Sequence, residues 1–382
     1  MTVHTPARAE GRADLRLVTY GVIGCGMMGQ EHLRNIALLP GTAIGAIFEP
    51  DAEMRARAGA LAPGAEMVDS VEALLARDDL DCLLIASPNF RHVEQLAAVA
   101  ARRPLPILVE KPLFTDPSEL AALDAFARDY PAPVWVAMEY RYMPPVAKLL
   151  EMADAATGGI RMLTIREHRY PFLHKVGAWN RFNRYSGGTF VEKCCHFFDL
   201  MRLAIGRDPV RVMAMGGQAV NHLDERPGGE VPDILDHGYA MVEFDGGIRA
   251  MLELCMFAEG ARWQEEISAV GPAGKIEAFV PGPTRFWPEE LGAPPVPQVV
   301  VSPRHPQGPR VLEIPVDPAL LEAGDHNGST FYQHRGFLEL VRGLRPHPEV
   351  SLADGKWAVL MGLAAQRSIA EGRAVEMTEL LD

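Results

Sequence analysis

Residues Leu17-Val-Thr-Tyr-Gly-Val-Ile-Gly-Cys-Gly-Met-Met-Gly29 join a β-type apolar run to three glycines, Gly24, Gly26 and Gly29. That spacing belongs to the turn between the first strand and first helix of a dinucleotide-binding unit. Gly24 permits the tight turn, Gly26 lets backbone N–H groups approach a pyrophosphate, and Gly29 lets the helix pack on its strand. Cys25, Met27 and Met28 fill the rest of the turn and the helix start. There the positive end of the helix dipole favours an anion without any basic side chain. An amphipathic stretch runs from Met27 to Leu39, and a second apolar run, Thr42 to Phe48, ends in Glu49. A carboxylate at that point accepts hydrogen bonds from ribose hydroxyls and repels a 2′-phosphate, which points to NAD(H) over NADP(H).

Working outward, short apolar runs at 43–48, 81–86, 106–109 and 133–138 alternate with helical patterns at 51–61, 70–77, 91–101 and 116–129. The alternation predicts a Rossmann-type, doubly wound parallel sheet over residues 17–140. Ligands of such sheets gather at the carboxyl ends of the strands. Three polar clusters fall there: Ser87-Pro88-Asn89 with His92 close behind, Glu110-Lys111-Pro112, and Glu139-Tyr140-Arg141. Ser87, Pro88, Asn89, His92, Glu110 and Lys111 are therefore grouped with the cofactor site.

Residues 141–382 read differently. A helix at 145–156 precedes strands at 160–168, 210–220, 237–245, 248–257, 263–270 and 274–280, with Gly246-Gly247 marking a hairpin. This predicts a C-terminal α+β domain built on a mostly antiparallel open sheet. Residues 281–309 hold nine prolines and read as a surface excursion, and helices at 331–343 and 352–371 close the chain.

Bulk composition fits small-molecule chemistry. The 382 residues suit two domains, with 48% apolar and 23% charged residues. A formal charge of −13 argues against a nucleic-acid or anionic-membrane partner, which would need a basic field. Five cysteines without a CxxC pair read as reduced thiols of a cytoplasmic protein. Residues 1–16 carry Arg8, Arg12 and Arg16 but no apolar signal core, and read as a disordered leader. No apolar run is long enough for a membrane span.

The densest chemical constellation is Tyr185 to Gly206, where Gly187-Gly188 precede an apolar helical pattern. Glu192 and His196 are four residues apart and share one helix face, with Asp199 close to it. A carboxylate beside an imidazole orients it for proton abstraction from a hydroxyl. Cys194, Cys195 and His196 do not suggest a metal, because successive helical side chains diverge by about 100°. HExxH, GxSxG and Walker A patterns are absent from the sequence. Arg169 ends a strand, and Lys175 to Arg184 form a loop of donors and aromatics including Trp179 and Asn180, suited to a hydroxyl-rich ring. Those three residues, with Tyr140, Arg141 and His326, are the substrate-contact candidates beside Lys111 and His196.

Taken together, Val22 to Gly29, Glu49, Ser87-Pro88-Asn89, Glu110-Lys111-Pro112 and the helix ending in His196 resemble the Gfo/Idh/MocA oxidoreductases. That family includes inositol dehydrogenases and glucose–fructose oxidoreductase. The resemblance spans most of residues 18 to 375. It implies that Lys111, Glu192 and His196 surround a reacting carbinol, and that the open sheet face makes a homodimer or homotetramer. The family usually shows Asp-x-Gly-x-His, where this chain has Glu192-Lys193-Cys194-Cys195-His196. The expected activity is NAD(H)-dependent hydride transfer at a secondary hydroxyl or ketone of a cyclic polyol or pyranose. Alternatives using the same residues are a redox-assisted glycosidase or lyase, a sugar–sugar oxidoreductase that retains its cofactor, and a non-enzymatic nucleotide-sensing regulator.

Overall fold

The computed structural model describes residues 16–305 and 308–381. Of the leader read at 1–16, residues 1–15 lie outside the described residues, and Arg16 donates to the Asp81 carboxylate.

The N-terminal half alternates strand and helix: β1 (Val18–Ile23), α1 (Met27–Ala37), β2 (Thr42–Phe48), α2 (Ala52–Leu61), β3 (Glu66–Val68), α3 (Val71–Leu75), β4 (Cys82–Ile85), α4 (His92–Ala100), β5 (Ile107–Val109), α5 (Leu120–Asp129) and β6 (Val134–Val136). The six strands are ordered β3-β2-β1-β4-β5-β6 and every pairing is parallel. Strands β4, β5 and β6 are buried along their whole length, because helices cover both faces of the sheet. The order reverses between β1 and β4, which opens a crevice at their carboxyl ends. Strand β3 is absent from the sequence reading; it is an edge strand of three residues with one side chain buried, too short to show a period.

The second half begins with α6 (Pro144–Thr157), β7 (Met162–His168), α7 (Asn183–Ser186), α8 (Thr189–Glu192) and α9 (Cys195–Ile205). It continues with β8 (Pro209–Gly217), β9 (His237–Phe244), β10 (Ile248–Cys255), β11 (Glu265–Gly271), β12 (Gly274–Val280), β13 (Gln298–Pro303) and β14 (Arg310–Glu313). It ends with α10 (Pro318–Ala323), α11 (Ser329–Val341), α12 (Leu352–Glu371) and β15 (Val375–Glu376). Nine strands form one sheet, β14-β13-β12-β11-β7-β10-β9-β8-β15, antiparallel except where β10 meets β7. One face buries alternate residues such as Ala240, Val242, Leu252 and Leu254 beneath α6, α9 and α12. The opposite face leaves Met162, Met215, Tyr239 and Met241 exposed.

Two expectations need correction here. The proline-rich stretch 281–309 contributes β13, whose Val299 and Val301 are buried beside β12, so only part of it is an excursion. The helix read as continuous through Glu192 and His196 is broken at Lys193-Cys194, which separates α8 from α9. No helix among the described residues is long and apolar enough to cross a membrane.

The chain end returns to the first sheet. In α11, His334 is hydrogen-bonded to His32 of α1 at 2.8 Å, and Val136 N–H at the end of β6 donates to Val350 C=O at 3.1 Å. The crevice of the first sheet thereby faces residues of the second half.

Candidate active site

A cavity of about 1280 Å³ runs over the carboxyl ends of β1, β2 and β4. Gly24, Gly26, Met27, Met28, Glu49, Ser87, Pro88, Asn89, Glu110 and Lys111 line it, joined by Lys175 and Trp179 from the second half. Gly24 has φ +84°, and a Cβ there would lie 2.6 Å from the Ser87 backbone. A Cβ on Gly29 would lie 2.7 Å from Gly24 C=O. At Gly26 a Cβ would meet nothing within 4 Å, so it would project into the open cradle at the start of α1. No side chain caps that helix. A wide cavity, a side-chain-free turn and an uncapped helix start fit the pyrophosphate of a dinucleotide.

Glu49 is buried and its two carboxylate oxygens accept from Cys25 N–H at 2.5 Å and Asp51 N–H at 2.9 Å. It therefore holds the glycine turn against the end of β2 while facing the cavity. The Cys25 thiol points into the core, where burial and Glu49 push its pKa up to about 12. Its main chain, not its sulfur, belongs to the site. His92 does not line the cavity: its ring is hydrogen-bonded to Pro112 C=O at 2.8 Å and Ser87 C=O at 3.1 Å, stapling two site loops from beneath.

Lys111 lines this cavity and meets Glu192 from the second half, while Glu192 and His196 are buried and are not among the lining residues. Lys111 Nζ donates to Glu192 C=O at 3.0 Å. Burial works against charge on Lys111, but Glu192, Cys195, Glu110 and Glu139 together outweigh it and raise the pKa, so the ammonium persists. The Glu192 side chain is not directed at His196; its carboxylate accepts from Lys175 Nζ at 2.8 Å and from the Asn89 amide. Against the cost of burial, Lys175 and Lys111 lower its pKa to about 2. His196 is buried, and burial followed by Lys111, Lys193, His326 and Arg169 pushes its pKa well below the usual value. The ring is a neutral imidazole, and its Nδ1 has no hydrogen-bond partner among the described residues.

Other candidates take up different duties. Tyr140 stacks flat on His196, and its hydroxyl accepts from Lys193 Nζ. Arg141 turns inward and forms a two-point ion pair with Asp199, while also donating to Glu349 C=O at 2.9 Å. It closes the core and does not face the cavity. Asn180 is fully buried and donates to Leu173 C=O at 3.0 Å, bracing its own loop. Arg169 stacks over Tyr170 at 4.3 Å and lies 3.5 Å from Glu167. Trp179 does face the cavity, with Lys175 Nζ 4.3 Å from its ring centroid.

His326 is not a free rim residue. Its Nδ1 lies 2.7 Å from Glu31 Oε1 and its Nε2 3.7 Å from Glu139 Oε1, while Thr330 Oγ1 lies 2.8 Å from an oxygen of each carboxylate. Despite burial, Glu139 and Glu31 raise the His326 pKa to about 9. The imidazolium supplies the cation that these carboxylates require. Lys193 is the site residue that the sequence reading left out, since it sits at a helix break with no sequence marker; Lys175 was read there only as one donor of the loop 175–184.

Both halves of the chain match a known family. Residues 18–138 match the family described as "Oxidoreductase family, NAD-binding Rossmann fold", and residues 156–377 match its C-terminal alpha/beta domain. An inositol 2-dehydrogenase of Saccharopolyspora erythraea is 27% identical over 266 residues, covering 68% of this chain and 73% of that protein. The myo-inositol 2-dehydrogenase of Thermotoga maritima is 25% identical over 365 residues, covering 94% and 99%. The structure of levoglucosan dehydrogenase with NADH and levoglucosan shares the fold, with TM-score 0.76 at 21% identity over 95% of this chain and 100% of that one. The chain belongs to the Gfo/Idh/MocA oxidoreductase family and carries that family's NAD-binding Rossmann fold.

Proposed function

We propose that this oxidoreductase transfers hydride between NAD(H) and a secondary hydroxyl or ketone of a cyclic polyol or pyranose. The observation that carries the reading is a charged Lys111 in the lining of a dinucleotide-sized cavity, with a neutral, buried His196 close enough for Lys111 to depress its pKa. Bound NAD(H) supplies the hydride acceptor or donor at its nicotinamide ring. His196 takes the hydroxyl proton, since a neutral imidazole is a base at physiological pH. Lys111 stabilises the negative charge that grows on the carbinol oxygen. Glu192 acts as an anchor: its carboxylate holds Lys175 and Asn89, and its carbonyl holds Lys111. Trp179 offers an apolar face to a sugar ring.

Relatives named for inositol and a structural neighbour named for levoglucosan support the substrate class. The exposed apolar residues Met162, Met215, Tyr239 and Met241 on the open sheet support self-association as a homodimer or homotetramer. Free thiols at all five cysteines support a cytoplasmic setting.

The test is incubation with NAD⁺ or NADP⁺ across inositols, free pyranoses, anhydrosugars and glycosides, following both reduced cofactor and the sugar itself. Accumulation of NADH with an inositol or pyranose is the expected result. Sugar cleavage without net reduction would move the assignment to redox-assisted bond breaking. Lys111→Ala and His196→Ala should each lower turnover by about 10²-fold or more. Turnover within about threefold of the parent would remove that residue from the mechanism.

A further inference from the structure

We infer that Tyr140 is the positioning residue for His196, acting through ring stacking and anchored by Lys193, in place of the usual carboxylate. The inference rests on the reading of His196 as proton acceptor.

The two rings are 4.1 Å apart at their centroids and 6° from parallel. An imidazole acting as base needs a fixed plane, and the usual means is a hydrogen bond to the nitrogen that does not take the proton. Here Nδ1 of His196 has no such partner, and Glu192 is held by Lys175 and Asn89. The Tyr140 face is what restrains the ring. Tyr140 is itself held on two further sides. Its hydroxyl accepts from Lys193 Nζ, which also lies 2.8 Å from Glu167 Oε1, and Phe197 packs edge-on at 5.7 Å.

The series Glu167, Lys193, Tyr140, His196 thus runs from β7, through the helix break, to the base. Lys193 lies at the break between α8 and α9 and donates to the Tyr140 hydroxyl. Charged groups bearing on His196 come from several elements: Lys111 after β5, Arg169 after β7, Lys193 between α8 and α9, and His326 before α11. Lys193 therefore has a second effect, disfavouring protonation of the imidazole that Tyr140 orients.

Steady-state rates against pH would be measured for the full-length enzyme and for Tyr140→Leu, Tyr140→Phe, Lys193→Met and His196→Ala, with the sugar or cyclitol found active. Tyr140→Leu should lower kcat by about 30-fold or more, as expected when a base is misplaced by an ångström, with the KM for NAD⁺ unchanged. Tyr140→Phe, which keeps the ring, should recover at least about tenfold of that loss. Lys193→Met should shift the acid limb of kcat/KM to higher pH. A Tyr140→Leu enzyme at parental kcat, beside an inactive His196→Ala, overturns the positioning role and leaves the base assignment standing. An active His196→Ala overturns the base assignment itself. Should Tyr140→Leu fail to fold, an unshifted acid limb in Lys193→Met overturns the inference.

Discussion

Lys175 Nζ lies 2.8 Å from Glu192 Oε1, so the loop between β7 and α7 reaches across to the buried carboxylate of α8. Lys175 is the first of the two lysines that lower the Glu192 pKa to about 2 against the cost of burial. Lys175→Met should let that pKa rise toward the ordinary carboxylate range near 4 to 5. As a carboxylate, Glu192 holds Asn89 and favours the charged form of Lys111. The acid limb of the variant's kcat/KM should therefore lie at higher pH than that of the parent. A pH–rate profile with the same acid limb in both enzymes would show that Lys175 does not set the charge of Glu192.

Gly24 and Gly26 are two residues apart yet should fail in different ways. Alanine at position 24 must take φ +84° with its Cβ 2.6 Å from the Ser87 backbone, so Gly24→Ala should lower the melting temperature. Alanine at position 26 meets no atom within 4 Å and should melt like the parent. Its methyl group would stand where backbone must approach the pyrophosphate, weakening NAD⁺ binding by roughly tenfold or more. Thermal melts and NAD⁺ titration by fluorescence separate the two outcomes. Normal NAD⁺ affinity in Gly26→Ala would show that the cofactor does not lie over this turn.

Much of the fold was legible because its determinants are local. The strand, glycine turn, helix and Glu49 occupy 32 consecutive-numbered positions from Val18 to Glu49, and each imposes its geometry on its neighbours. The second sheet announced itself by alternation, as in β9, where Gly238, Ala240, Val242 and Phe244 are buried. What stayed hidden depends on distant partners. Glu192 and His196 carry helical spacing, but nothing in their spacing marks the break between them, which places Lys193 against Tyr140 and Glu167. His326 looked like an open rim residue, because Glu31 lies 295 positions away in the chain. Strand β14 is exposed along its whole length and so shows no apolar period.

Arg141 and Asp199 form a buried ion pair between the end of the first sheet and α9. Removing one partner of such a pair leaves an uncompensated charge and costs about 3–5 kcal/mol. Arg141→Met should lose stability on that scale in urea unfolding. Combining it with Asp199→Leu should recover most of the loss, since two apolar groups leave no orphan charge. A substrate-binding arginine would behave otherwise, with stability near that of the parent and a raised KM.

The Glu31–His326 pair gives stability a defined pH window. His326 has its pKa raised to about 9, so its contribution is complete below the ordinary histidine value near 6.5 and is lost as pH rises through 9. Glu31 has its pKa lowered to about 2, so its contribution is complete above the ordinary value near 4.5 and is lost as pH falls through 2. Both belong to one ion pair and count once. The pair is fully effective between about pH 4.5 and 6.5. Glu139, which also faces His326, has its pKa raised by burial and by its carboxylate neighbours, so its ionisation costs stability as pH rises above the ordinary value near 4.5. Melting temperature against pH should therefore decline from about pH 7 to pH 9 in the parent, and His326→Gln should be less stable at pH 6 with a shallower alkaline decline. Parallel curves for the two proteins would show that the imidazolium does not carry the alkaline slope.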